Sequence, residues 1–83
     1  MKFKVDDLII LTEEGIKHYR VTGDRIGEII RVLSTNNEAL DVYGYALKDL
    51  EKNTLFLRSV YYRISTESEI KLYKIKNLFV KRN

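Results

Sequence analysis

Between Gly23 and Tyr45 the chain reads GDRIGEIIRVLSTNNEALDVYGY, and the remaining segments have to fold around this stretch. Gly23 and Gly27 bracket its entry. A β-rich run from Ile26 to Leu33 follows, then the polar break Ser34-Thr35-Asn36-Asn37-Glu38, then a second β-rich run from Leu40 to Tyr45. Two apolar, β-branched runs around a short polar break predict a hairpin. Alternation places Ile26, Ile30 and Val32 near one face of the first run and Ile29, Arg31 and Leu33 on the other, so this strand is expected inside a sheet, covered on both sides. In the second run Leu40 and Val42 point one way, and Asp41, Tyr43 and Tyr45 the other. Ile30, Val32, Leu40 and Val42 are therefore the expected buried core of the hairpin. Gly44, between two tyrosines, marks a bend or the close approach of another backbone.

The flanking segments add short strands. Phe3 to Leu11 (FKVDDLIIL) opens the sheet, with Phe3, Val5, Leu8 and Ile10 expected on one face and Asp6-Asp7 as a turn or bulge. Thr12 is a helix N-cap candidate with acids behind it, but Gly15 follows so soon that residues 13–19 read as a single turn or short 3₁₀ piece. Residues 46–53 (ALKDLEKN) are the segment with helical spacing, two turns at most, or else a distal loop. Thr54 to Ile64 (TLFLRSVYYRI) is strongly β-prone, Ser65 to Ser68 turns the chain, and Glu69 to Ile75 (EIKLYKI) reads as a last strand. Leu78, Phe79 and Val80 are expected as a short closing strand or plug, with residues 81–83 frayed. Five or six short strands separated by turns predict a small all-β barrel or sandwich. The alternative is an α+β domain in which residues 45–53 form a true helix packed on a curled sheet.

At 83 residues the chain is expected to be one domain, burying only about 60–65% of its unfolded surface. It has no cysteine, so disulfides and thiolate ligands are excluded. No apolar run approaches a membrane span, and MKFKVDDL lacks a signal-peptide core, so a soluble, cytoplasmic protein is expected. Charge is uneven: residues 1–42 carry net −2 and residues 43–83 net +5, giving +3 overall. After Glu69, Lys71, Lys74, Lys76, Lys81 and Arg82 have no acid among them, and a basic end of this kind attracts polyanions.

The segments Val5-Asp6-Asp7-Leu8, Leu11-Thr12-Glu13-Glu14-Gly15 and Gly27-Glu28-Ile29-Ile30-Arg31-Val32, followed by LDVYGY, resemble the SH3-like and KOW-like small barrels, many short bacteriophage proteins among them. Asp6 stands where that family tends to have glycine, and the likeness covers roughly residues 3–45. It implies a five-stranded SH3-like barrel with one or two short helical turns, and a phage-encoded protein would work in the host cytoplasm. Such barrels bind RNA, DNA, peptides and structural partners alike, so the resemblance implies a fold rather than a function.

Catalytic machinery is not legible. His18 is the only histidine, with no cysteine or second histidine to complete a metal site. The adjacent pairs Asp6-Asp7 and Glu13-Glu14 lack a metal-binding loop signature. No enzyme activity, metal or cofactor is expected. The aromatic and basic residues carry more information: Tyr43 and Tyr45 share parity, Tyr61 and Tyr62 lie between Arg58 and Arg63, and Tyr73 lies between Lys71 and Lys74. Rings that stack on bases, beside cations that meet phosphate, are the ingredients of a nucleic-acid surface. The candidate site is thus Tyr43, Tyr45, Arg58, Tyr61, Tyr62, Arg63, Lys71, Lys74 and Lys76, with Lys74 and Lys76 on one face of an extended last strand. The expected role is a non-enzymatic binding module for nucleic acid. Tyrosine is also simply a good strand residue at the rim of a small core. The alternative function is an accessory or inhibitory protein that captures a host or virion partner through a strand edge or the tyrosine face. A third reading is a homo-oligomer that exchanges Leu78-Phe79-Val80 between copies.

Overall fold

A computed structural model describes residues 2–82, and the side chains of these other than Asp24 and residues 78–82. The elements in chain order are β1 (Leu8–Leu11), α1 (Glu13–Tyr19), a 3₁₀ turn (Gly23–Arg25), β2 (Ile30–Asn36), β3 (Asp41–Ala46), β4 (Leu55–Arg58), a second 3₁₀ turn (Ser59–Tyr61), β5 (Tyr62–Ile64) and α2 (Glu67–Arg82). The strands form one antiparallel sheet in the order β4-β3-β2-β1-β5. β4 and β5 are its two edges, so the sheet is not closed, and with α2 as its longest element the chain is β-rich rather than all-β.

The hairpin forms as β2 and β3, but its first strand is displaced along the chain: Ile26, expected on the buried face, follows the 3₁₀ turn and is 47% exposed, whereas Ser34 to Asn36, expected in the break, extend β2. The Asn36 side chain accepts from the backbone N–H groups of Glu38 and Ala39 at 3.1 and 3.2 Å, which nucleates the turn. The register runs from Ile30 opposite Ala46 to Val32 opposite Gly44, then slips at Leu33, so that Ser34 faces Tyr43 and Thr35 faces Val42. This bulge turns Leu33 out to solvent while Ile30, Val32 and Val42 stay buried. Leu40 departs from expectation. It is 50% exposed and takes a left-handed φ of 55°, ending the turn instead of starting the buried face. Its carbonyl accepts from both the N–H and the Oγ of Ser59, tying the turn to the end of β4. Gly44 marks the close approach that its position predicts, because a Cβ there would collide with the Arg31 carbonyl.

β1 reads LIIL because both of its faces are covered. Ile9 and Leu11 join the larger cluster with Phe3, Ile30, Val32, Val42 and Leu57, whereas Ile10 and Leu8 pack on the other side with Ile29 and Tyr73 of α2. Phe3 therefore does not share a face with Leu8 and Ile10, and Val5 is exposed.

α1 is a true helix rather than a single turn. Thr12 caps it as expected, accepting from the Gly15 N–H at 3.0 Å. Gly15 does not stop the helix. A Cβ at this position would lie 2.5 Å from the Tyr61 carbonyl oxygen, so glycine is there to let α1 lie against the second 3₁₀ turn. Residues 46–53 form no helix. The Asp49 carboxylate accepts from the N–H groups of Glu51 and Asn53, a local alternative that competes with helical bonding.

The largest correction is at the C-terminal end, where the expected strand Glu69–Ile75 is helical. Thr66-Glu67-Ser68-Glu69 forms a capping box: Thr66 Oγ1 accepts from the Glu69 N–H at 3.2 Å, and Glu69 Oε1 accepts from the Thr66 N–H at 2.8 Å. The helix then runs through residues 78–80, so these form no closing strand, and ends at Arg82. The side chains of Leu78, Phe79 and Val80, expected as a plug or an exchanged segment, and Asn83 lie outside the described residues. Thr54 to Ile64 is also divided, into β4 and β5 on opposite edges of the sheet, by the 3₁₀ turn.

Candidate nucleic-acid interface

On β3, Tyr43 and Tyr45 alternate with the buried Val42, Gly44 and Ala46, so both rings stand on the outer face of the sheet. Tyr43 pairs across to Phe56 of β4, with ring centroids 5.3 Å apart at 63°, and Phe56 is 56% exposed. Tyr45 lies opposite Arg31 of β2, and the Lys52 ammonium sits 5.6 Å from its ring centroid. Arg58, two residues beyond Phe56, has the same parity on β4. A shallow depression lined by Arg31, Lys48 and Lys74 extends the basic surface to α2. Acids offset part of this charge, since Asp6 lies 3.6 Å from Arg31 and Glu28 lies 3.1 Å from Lys48. Lys52, Arg58 and Lys74 make no ion pair among the described residues.

The other expected site residues are elsewhere. Tyr61 stacks on His18, centroids 4.1 Å apart at 15°, with Tyr19 edge-on at 5.4 Å, against α1. Tyr62 is in the core, and burial, followed by the nearby Tyr19 and Glu28, pushes its hydroxyl up to about 12. Arg63 forms a two-pronged ion pair with Glu69, at 2.8 and 2.6 Å. Helical geometry turns Lys74 and Lys76 about 200° apart, so the cationic pair expected from a strand does not form. Lys71 and Lys74, three residues apart, share a helix face instead. The site residues that sequence reasoning missed are Phe56, Lys52 and Arg31. The matching parity of Phe56 and Arg58 was a usable signal for the first. Among the described residues no group of three or more His, Asp or Glu side chains is arranged to hold a metal.

The Arg63–Glu69 pair has a measurable consequence. The Arg63 guanidinium, then the Thr66 N–H, holds the Glu69 carboxyl down at about 2, below its ordinary value. A depressed carboxyl contributes stability above its unfolded value of about 4.3 and loses it as pH falls through the folded value. Because glutamine can still reach back to the Thr66 N–H, Glu69→Gln isolates the charge. The parent should melt above Glu69→Gln at neutral pH, and thermal scans should show the gap closing between about pH 4 and pH 2.

No protein-family model, no curated protein and no solved structure matches this chain.

Proposed function

We propose that the protein is a non-enzymatic binding module, a small SH3-like barrel left open between β4 and β5, that holds single-stranded nucleic acid on the outer face of β2, β3 and β4. The observation that carries this reading is the row Tyr45, Tyr43 and Phe56 beside Lys52 and Arg58, cations without an acid partner among the described residues. Aromatic rings stack on bases of any sequence at about 1–3 kcal/mol per base, while Lys and Arg meet the phosphates and make binding salt-dependent. Fluorescence anisotropy with mixed-sequence single-stranded oligonucleotides at low salt tests it. Phe56→Ser should weaken binding about tenfold, within that range for one stack. Lys52→Glu with Arg58→Glu should abolish it, while Arg63→Gln, whose partner is Glu69, should change little. Absence of binding at high micromolar protein sinks the proposal.

A second reading rests on the β4 edge, where Leu55 and Phe56 are exposed beside a row of unpaired backbone groups. An extended segment of a protein partner would add there as a sixth strand. Capture that survives nuclease and high salt favours this reading over the first.

A further inference from the structure

The buried face of the sheet opens between its two edges into a cleft of about 280 Å³, whose floor includes Leu11, Ile30 and Leu57. Tyr19, Arg25, Glu28, Phe56 and Tyr62 also line it. Tyr62 is only 6% exposed, yet its hydroxyl makes no hydrogen bond among the described residues. No described side-chain polar atom is both occluded and unpartnered, so this hydroxyl keeps access to open space, and the space that Tyr62 lines is the cleft. The ring is thus buried while its hydroxyl can meet water, and a ligand acceptor in the cleft could take that water's place. Arg25 also lacks an acid partner among the described residues, whereas Glu28 is engaged by Lys48 at 3.1 Å.

We propose that the cleft binds a small monocarboxylate with an aliphatic body, its carboxylate taken by Arg25 and the Tyr62 hydroxyl and its body laid on Leu11, Ile30 and Leu57. An apolar floor with a few convergent polar groups is the common form of a small-molecule site, and the volume falls near the lower end of the usual ~300–1,000 Å³. One unpaired cation matches one negative charge. Glu28 in the same lining is engaged by Lys48, and beside it a second negative charge on the ligand would have no cation to meet. The Tyr62 hydroxyl, held protonated by burial, serves as a neutral donor throughout the physiological range. Phe56 of the aromatic row also borders the cleft, whereas the groups assigned to the carboxylate and to its aliphatic body, Arg25, Tyr62, Leu11, Ile30 and Leu57, take no part in the proposed nucleic-acid surface.

The test is an NMR titration of the ¹⁵N-labelled protein with N-acetyl-leucine and, separately, N-acetyl-leucinamide. The acid should shift the amides of Leu11, Ile30 and Leu57 saturably at millimolar concentrations, and the amide should bind about tenfold more weakly. Arg25→Gln should erase that preference. Tyr62→Phe should weaken the acid several-fold while melting with the parent, since the hydroxyl it removes bonds to nothing inside the protein. Equal binding of acid and amide, or no saturable shift at tens of millimolar acid, overturns the proposal. So does a Tyr62→Phe variant that binds the acid as the parent does, or one that melts well below it.

Discussion

A Val32→Asp variant is expected not to fold. Val32 is completely buried in the middle of β2, where its N–H donates to the Asp7 carbonyl and its carbonyl accepts from the Asp6 N–H, while Gly44 faces it from β3. The backbone is thus fixed from both sides and cannot swing a carboxylate out to water. An unpaired buried charge costs several kcal/mol or is neutralised at comparable expense, and a chain of this length has only about 4–12 kcal/mol of total stability. Val32→Ala separates charge from volume and should cost about 1–3 kcal/mol while keeping a cooperative transition. Circular dichroism with thermal melting checks both. A Val32→Asp variant that melts like the parent would show that β2 does not have the register described.

The second large effect is expected at Tyr73. It is the one buried residue of α2 among those whose side chains are described, packed with Ile10 and Ile29, and its hydroxyl accepts from the Lys48 N–H at 3.0 Å. Tyr73→Ala removes this anchor and should cost about 3–5 kcal/mol, the usual range for truncating a buried ring. Tyr73→Phe, which leaves the Lys48 N–H without its acceptor, should cost about 1 kcal/mol. The distinguishing measurement is hydrogen exchange. In the alanine variant the α2 amides should lose protection before those of β2 and β3, because the helix is held to the sheet through this ring. If α2 keeps its protection, other contacts hold the helix.

The hairpin was legible because its alternation and its polar break are local properties of one stretch. Leu40 misled because nothing in its side chain announces a left-handed backbone; the conformation is imposed by the tie between its carbonyl and Ser59, nineteen residues away in sequence. α2 was missed because Ile70, Leu72 and Tyr73 to Ile75 fit a two-residue period about as well as a helical one. The deciding signal was the Thr66-x-x-Glu69 capping box, which spans the boundary between the segment read as a turn and the one read as a strand. Tyr43 and Tyr45 could be placed together because they share a strand. Phe56 and Lys52 could not, since their approach to those rings depends on how β3 and β4 register. Tyr62 was misassigned for the converse reason: with Tyr61 and Val60 beside it, parity alone did not say which ring faces the core.

The position of β1 sets the order in which this chain can assemble. The β2–β3–β4 meander closes through short loops, whereas β1 is completed only when β5, from the other half of the chain, arrives on its free side. Pairings of such wide sequence separation form late, after their loop-closure entropy has been met. Until then a four-residue strand, apolar on both faces and without a charge, presents a bare edge to other molecules in the same state. Asp6 and Asp7 on one side of it and Glu13 and Glu14 on the other are placed as gatekeepers whose mutual repulsion discourages that encounter.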